Sequence, residues 1–178
     1  LRTAWRQMSR TAGTVRLLIV VGLGTAAFSM QDILLEPYGG EILNLSVGAT
    51  TMLTALLASG SLCGFALASR LLTRGHDPYR LAANGVLVGV VAFSAVIFAS
   101  PFESIALFRV GVALIGFGGG LFAVGTLIAA MAIADKHPAG LVIGAWGGVQ
   151  ATAAGLAIAF GGAIRDSISA LATQGSFG

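Results

Sequence analysis

The chain has 178 residues, of which 56% are hydrophobic and 10% are charged, with a formal net charge of +3 at pH 7. A soluble domain carries roughly 25% charged residues, so this composition excludes a water-soluble globule and indicates an integral membrane protein. The basic balance does not indicate a nucleic-acid partner, because the ten Lys and Arg residues lie almost wholly at the ends of apolar segments.

Five apolar segments, each near the ~20 residues that cross a bilayer as a helix, follow one another along the chain. They cover residues 17–35, 47–72, 81–99, 105–134 and 141–164. Because only helices and closed barrels can span lipid, and no segment alternates as a strand would, the pattern predicts an all-α polytopic membrane protein. The connections are short, so neighbouring helices are expected to run antiparallel.

The basic residues predict the orientation of these spans. If the spans alternate in direction, eight of the ten basic residues fall on one side of the membrane. Arg165 falls on the other side, and Arg109 lies within the fourth span. Basic residues accumulate on the cytoplasmic side, so we expect the N-terminus of this chain to be cytoplasmic. The eight residues are Arg2, Arg6, Arg10, Arg16, Arg70, Arg74, Arg80 and Lys136.

The end of the first span carries two carboxylates. Asp32 and Glu36 are four residues apart and share a helix face, and Asp32 lies ~22 Å along a helix from Leu17. Arg109 has a similar depth near the outer end of the fourth span. An arginine in lipid needs a partner, so we predict an intramembrane pair of Arg109 with Asp32 or Glu36. The alternative is that these side chains extend to the headgroups, which we expect for Glu36 more than for Asp32.

Pro37 is expected to end the first span, since the residue before a proline avoids the helical region. Ser46 is a suitable N-cap for the second span.

Small residues recur at four-residue spacing in three spans, which predicts close helix packing. The three rows are Gly60, Gly64 and Ala68, then Gly85 and Gly89, then Gly144, Gly148 and Thr152. The fourth span has a higher density of glycine than packing alone usually needs. It therefore suits either a flexible helix or a backbone that contacts a large flat ligand. Its glycines are Gly111, Gly116, Gly118, Gly119, Gly120 and Gly125.

Residues that could carry chemistry are few. His76 and His137 lie in loops, so a tetrapyrrole metal would need Gln31, Gln150, a backbone carbonyl or water as its axial ligand. The simplest interpretation of Gln150 is an interhelical hydrogen-bonding group. We find no Ser/His/Asp set, no metal-ligand cluster and no phosphate-binding loop in the sequence, so we predict neither an enzyme nor a metal site. The single cysteine, Cys63, supports neither a disulfide framework nor a cysteine metal site.

Two strings carry a resemblance to a known family. Residues 31–41 (QDILLEPYGGE) and 107–125 (LFRVGVALIGFGGGLFAVG) resemble the seventh- and tenth-helix signatures of the bacteriochlorophyll-delivery family, the PucC/LhaA group of the major facilitator superfamily. Residues 64–75 resemble a degenerate form of that superfamily's cytoplasmic gating motif, with Gly64, Arg70 and Arg74 in place and Ser69 where an acidic residue is usual.

The resemblance implies helices seven to eleven of a twelve-helix bundle, so the amino-terminal half and the last helix are expected to be absent from this chain. It implies a factor that assembles light-harvesting complexes in the bacterial inner, intracytoplasmic photosynthetic membrane. The implied partners are antenna polypeptides, the reaction-centre–antenna core and membrane lipid.

Under this resemblance, bacteriochlorophyll is the implied cofactor, with Gln31, Gln150 and the glycines Gly118, Gly119 and Gly120 as candidate contacts. Two alternatives remain open at this stage. The chain could belong to a pigment-free membrane scaffold for antenna assembly, which would use surfaces rich in small residues. It could instead belong to a secondary transporter of a small solute, which predicts a hydrated polar cavity.

Overall fold

A computed structural model describes residues 12–42, 46–134 and 138–173, and the side chains of Asp32 and Glu36 lie outside the described part. The described residues form helices and short connections without a strand. The six α-helices are α1 (Ala12–Ser29), α2 (Gln31–Pro37), α3 (Val47–Thr73), α4 (Pro78–Ala99), α5 (Ile105–Ala134) and α6 (Ala139–Thr173), with a π-helical turn at Tyr38–Ile42 after α2.

Four of these helices, α3 to α6, are long and apolar enough to cross a membrane, and α1 is a shorter apolar helix. This confirms the predicted class, an all-α polytopic membrane protein. The turn-like connection between α3 and α4 places these two helices antiparallel.

The first predicted span, 17–35, is divided in the structure. The α1 helix ends at Ser29, Met30 forms a turn whose N–H donates to the carbonyl of Ala26 (3.2 Å), and α2 follows as a separate helix. The expectation that Pro37 ends the span because Glu36 leaves the helical region is wrong, since Glu36 and Pro37 both belong to α2 and the chain continues directly into the π-helical turn. Proline has no N–H to donate to the preceding turn, and such π-helical turns are frequent at functional sites.

The α5 helix is the centre of the bundle. Over its most apolar window 56% of residues are buried, against 11% in α6, so α5 is the core helix and α6 is peripheral. The α3 and α4 helices pack along α5, whereas α1 packs mainly on α6. One apolar cluster joins α2, α3, α4 and the first half of α5 around Leu53, Phe108 and Ile115. A second cluster joins α1, α5 and α6 around Val21 and Val142.

The ends of the helices use ordinary capping. The Ala49 N–H donates to the Ser46 hydroxyl (3.3 Å), which confirms the predicted N-cap of α3. The α3–α4 turn contains Gly75 at φ +82°, a left-handed conformation that favours glycine. The Tyr79 N–H then donates to the Asp77 carboxylate (2.9 Å) to begin α4.

Candidate functional site

The first glycine row forms the contact between α3 and α5. A Cβ atom on Gly60 would overlap the carbonyl oxygen of Ala113, and one on Gly116 would overlap that of Leu57. One turn further on, a Cβ on Gly64 would lie 2.5 Å from the Phe117 carbonyl oxygen. The helices are therefore in backbone-to-backbone contact over two turns, as the small-residue row predicted.

A second face of α5 makes the same kind of contact with α4. A Cβ on Gly118 would lie 2.7 Å from the Gly85 carbonyl oxygen, and one on Gly85 would lie 2.6 Å from the Gly118 carbonyl oxygen. Gly111 and Gly125, each seven residues from Gly118, also face α4. Seven residues are close to two helical turns, so these glycines share one face. The prediction of close packing is thus confirmed for both rows.

The glycine density of α5 has a structural explanation, because α5 packs against two helices on two different faces. Gly118 of α5 packs against α4, and Gly120 of α5 packs against α3. A Cβ on Gly120 would lie 2.7 Å from the Ser61 carbonyl oxygen of α3. Of the three consecutive glycines, Gly119 has room, since its Cβ would be in ordinary contact with Phe28 at 3.5 Å. Gly119 is therefore the member of this trio that faces a side chain of α1, the Phe28 ring, and not the backbone of another helix.

Phe28, near the end of α1, is the side chain that sequence analysis missed. Its ring lies 5.8 Å from the ring of Phe122 and 6.3 Å from that of Phe93, so it fills the angle between α5 and α4. A Cβ on Gly89 would lie 2.8 Å from this ring, which explains why that position of α4 is glycine. Nothing in the sequence distinguishes Phe28 from other apolar residues, because its role depends on helices that meet only in three dimensions.

The two glutamines proposed as ligands lie at different depths. Gln31 is buried at the start of α2, where Met30 and Ile33 face Gly161 of α6. Gln150 is half-buried and precedes Gly161 by eleven residues, or about 16 Å along the helix. Gln31 is thus three residues from Phe28, whose ring covers Gly119, whereas Gln150 lies at a different depth on α6.

Arg109 lies in the second turn of α5 and is half-buried, with an Nε atom that has no hydrogen-bond partner among the described residues. Leu35 shares a buried cluster with Phe108, and the Tyr38 ring lies 5.5 Å from the Phe108 ring. The last turn of α2, which contains Glu36, is therefore at the level of Arg109. Since the side chains of Asp32 and Glu36 are not described, the charge pair stays a prediction.

The gating-like string is divided between two environments. Gly64 belongs to the contact of α3 with α5, whereas Arg70 and Arg74 are exposed at the end of α3. The Arg74 N–H donates to the Leu71 carbonyl (3.1 Å) and closes the helix. The two arginines thus extend from a short, capped turn at one end of the bundle.

The third predicted row, on α6, differs from the first two. Gly144 and Gly148 have open space where a Cβ would stand, as do Gly147 and Gly155, and Thr152 is exposed. Within the described residues, this face of α6 packs against no other helix, so the predicted close packing does not occur there. The periodicity alone could not show whether a partner helix was present.

One side-chain bond joins α5 and α6. The Trp146 Nε1–H donates to the Thr126 hydroxyl (3.4 Å), which is buried and itself donates to the Phe122 carbonyl (2.9 Å). Removing the donor with Trp146→Phe is expected to cost about 0.5–1 kcal/mol, the usual net value of a neutral hydrogen bond. Thermal unfolding followed by circular dichroism measures it. If Trp146→Phe costs as much in a Thr126→Val background as in the wild type, this bond contributes nothing.

The class that this fold defines is a polytopic α-helical membrane protein with a glycine-packed core helix. The family model described as PUCC protein matches residues 1–178, and the chain belongs to that family. It is 50% identical over 167 residues to Protein PucC of Rhodovulum sulfidophilum, covering 94% of this chain and 37% of the relative.

Two further relatives extend this similarity. The chain is 48% identical over 174 residues to Protein PucC of Cereibacter sphaeroides, which covers 98% of this chain and 38% of the relative. It is 31% identical over 170 residues to the Bacteriochlorophyll synthase 44.5 kDa chain of Rhodobacter capsulatus, which covers 92% and 37%. The chain thus spans less than two fifths of these relatives' length. No solved structure matches it.

Proposed function

We propose that this chain is part of an assembly factor for bacterial light-harvesting complexes, which handles bacteriochlorophyll and delivers it to antenna polypeptides. The observation that carries the proposal is the family match over residues 1–178. The name of the Rhodobacter capsulatus relative, a bacteriochlorophyll synthase chain, supports a link to the same pigment. The role is non-enzymatic.

The proposal includes a setting and a wider fold. The protein lies in the intracytoplasmic photosynthetic membrane with the N-terminus of this chain cytoplasmic, beside antenna polypeptides or the reaction-centre core. Arg16, Arg70, Arg74 and Arg80, which the structure gathers at one end of the bundle, support this orientation. The chain would form most of the carboxy-terminal half of a twelve-helix bundle of the major facilitator type.

The pigment site that we propose lies where α1 and α2 meet α5. Gln31 supplies a buried amide, the Phe28 ring supplies an aromatic surface, and Gly119 is the α5 glycine that faces this ring and not the backbone of another helix. The Gln31 side chain would act as the axial ligand or as a hydrogen-bond partner of the macrocycle. Gln150, which lies about 16 Å along α6 from Gly161, the residue that Met30 and Ile33 face, is not part of this site.

An absorption spectrum through the near infrared tests the proposal. The full-length protein is purified in mild detergent from a strain without mature antenna complexes. We expect stoichiometric bacteriochlorophyll absorbance that falls at least ~10-fold with Gln31→Leu or Gly119→Val, a loss equivalent to about 1.4 kcal/mol of binding. The matched control is Gly144→Val, because Gly144 has open space around it. A colourless wild-type protein would overturn the carrier function.

A pigment-free scaffold is the second candidate, and the open glycine face of α6 favours it. Small-residue faces allow close approach of a second transmembrane helix, and an antenna polypeptide would supply one. This function predicts antenna polypeptides, but no pigment, in the purified protein. A secondary transporter has less support, because the helix contacts around α5 are apolar and close-packed.

A further inference from the structure

A crevice of about 390 Å³ lies between α1, α4 and α5. Each helix contributes residues at positions i, i+3, i+4 and i+7, within residues 13–20, 79–86 and 122–129 respectively. This spacing corresponds to one continuous helix face. The crevice is therefore a groove about 10 Å long, with α5 as its floor and α1 and α4 as its walls.

Specific contacts explain why the crevice exists. At its inner end, the Phe28 ring bridges α1 to α4 and α5 through Phe93 and Phe122. Away from Phe28, α4 remains packed against α5 through the contact of Ala82 with Gly125. Leu17 and Val21 pack α1 against α5 and α6 instead of against α4. The two walls thus diverge from Phe28 towards the helix ends.

The mouth of the crevice is at the basic end of the bundle. Arg16 and Tyr79 line it, and both side chains are exposed. Arg70, Arg74 and Arg80 lie at the same end, at the close of α3 and the start of α4. The rest of the lining is almost wholly apolar. An apolar groove with a cationic mouth at the depth of the headgroups complements an amphiphile with one hydrocarbon chain and an anionic head.

We propose that this crevice binds an anionic phospholipid, with one acyl chain between α1 and α4 and the phosphate beside Arg16 and the Tyr79 hydroxyl. Basic pockets between transmembrane helices bind anionic headgroups in this way, and each nearby Lys or Arg strengthens the attraction. The inference rests on the crevice and its charge, and it is independent of pigment handling. A structural lipid at this position would fill the gap between α1 and α4.

The test compares phosphatidylglycerol with phosphatidylcholine on the full-length protein. Delipidated protein in detergent receives equal amounts of both lipids, and native mass spectrometry counts the bound molecules. We expect the wild type to retain one phosphatidylglycerol at least ~10-fold in preference to phosphatidylcholine. Arg16→Gln is expected to remove this preference, whereas Arg80→Gln, a change of the same charge at the same end but outside the crevice lining, is expected to leave most of it.

A second variant tests the groove itself. Ala83→Trp places an indole between the walls and is expected to abolish retention, whereas Ala66→Trp on the exposed side of α3 leaves it unchanged. Equal retention of both lipids, or a preference that survives Arg16→Gln, would overturn the proposal. If Ala83→Trp prevents folding while Arg16→Gln keeps the full preference, another segment of the longer protein occupies the crevice and the proposal is wrong.

Discussion

Replacing Gly60 with alanine is expected to lower the free energy of unfolding of the full-length protein by about 1–3 kcal/mol, the usual cost of overpacking a close-packed core. The added methyl group would overlap the Ala113 carbonyl oxygen, which belongs to the backbone of α5 and cannot rotate away. The α3 and α5 helices would have to separate, and the Ser61 hydroxyl would lose its bond to the Gly116 carbonyl (3.2 Å). Thermal unfolding in detergent measures the change.

Gly144→Ala is the matched control, because it makes the same chemical change in a helix where the Cβ has open space. Alanine has a higher helix propensity than glycine by about 1 kcal/mol, so this variant should be as stable as the wild type or slightly more stable. Equal destabilisation by the two substitutions would contradict the close contact of α3 with α5. A loss confined to Gly144→Ala would instead place a partner helix on α6.

Neutralising Arg109 is expected to destabilise the protein, and neutralising Glu36 as well is expected to restore part of the loss. A charge left without its partner at membrane depth is costly, so the double variant should lose less stability than Arg109→Gln alone, and less than the two single losses added together. We expect a coupling free energy of about 1–2 kcal/mol, within the range found for contacting residues. Chemical or thermal unfolding of the four proteins measures it.

The structure makes a further distinction between the two candidate carboxylates. The last turn of α2, which carries Glu36, is at the level of Phe108 and Arg109, whereas Asp32 lies one turn earlier. The coupling to Arg109 should therefore be larger for Glu36→Gln than for Asp32→Asn. Glu103→Gln, an exposed carboxylate in the α4–α5 turn, serves as the control with no coupling. Additive effects for both Glu36 and Asp32 would exclude an intramembrane pair.

The helices were predictable because each depends on local sequence. A run of about twenty apolar residues must satisfy its own backbone hydrogen bonds in lipid, so its length and flanking residues predict a helix regardless of its neighbours. The bounds of α3, 47–73 in the structure against 47–72 in the prediction, illustrate this. The break at Met30 was not predictable, since the apolar run continues through it and only the packing of α2 against α6 and α3 distinguishes the two pieces.

The glycine rows show what the spacing of residues in one helix can predict and what depends on the neighbouring helices. Their spacing predicted close approach on α3, α4 and α6, and this approach occurs on α3 and α4 but not within the described part of α6. The α5 glycines raised the possibility of a flat ligand, yet Gly118 and Gly120 are needed for contacts with two other helices. A spacing shows that a helix face is small, whereas only the assembled bundle shows what lies against that face.

The sequence by itself determined the membrane class, the four long spans α3 to α6, the basic end and the family, because these follow from composition, hydropathy and a few unusual strings. The tertiary structure decided which helix is central and which glycines pack against a neighbouring helix. It also decided that Gln31 and Gln150 lie at different depths and that α1 and α4 diverge to leave a crevice. These features depend on contacts between residues far apart in the chain. Close van der Waals contact between two helices requires complementary surfaces on both helices. The sequence of one helix does not specify which surface of another helix will lie against it.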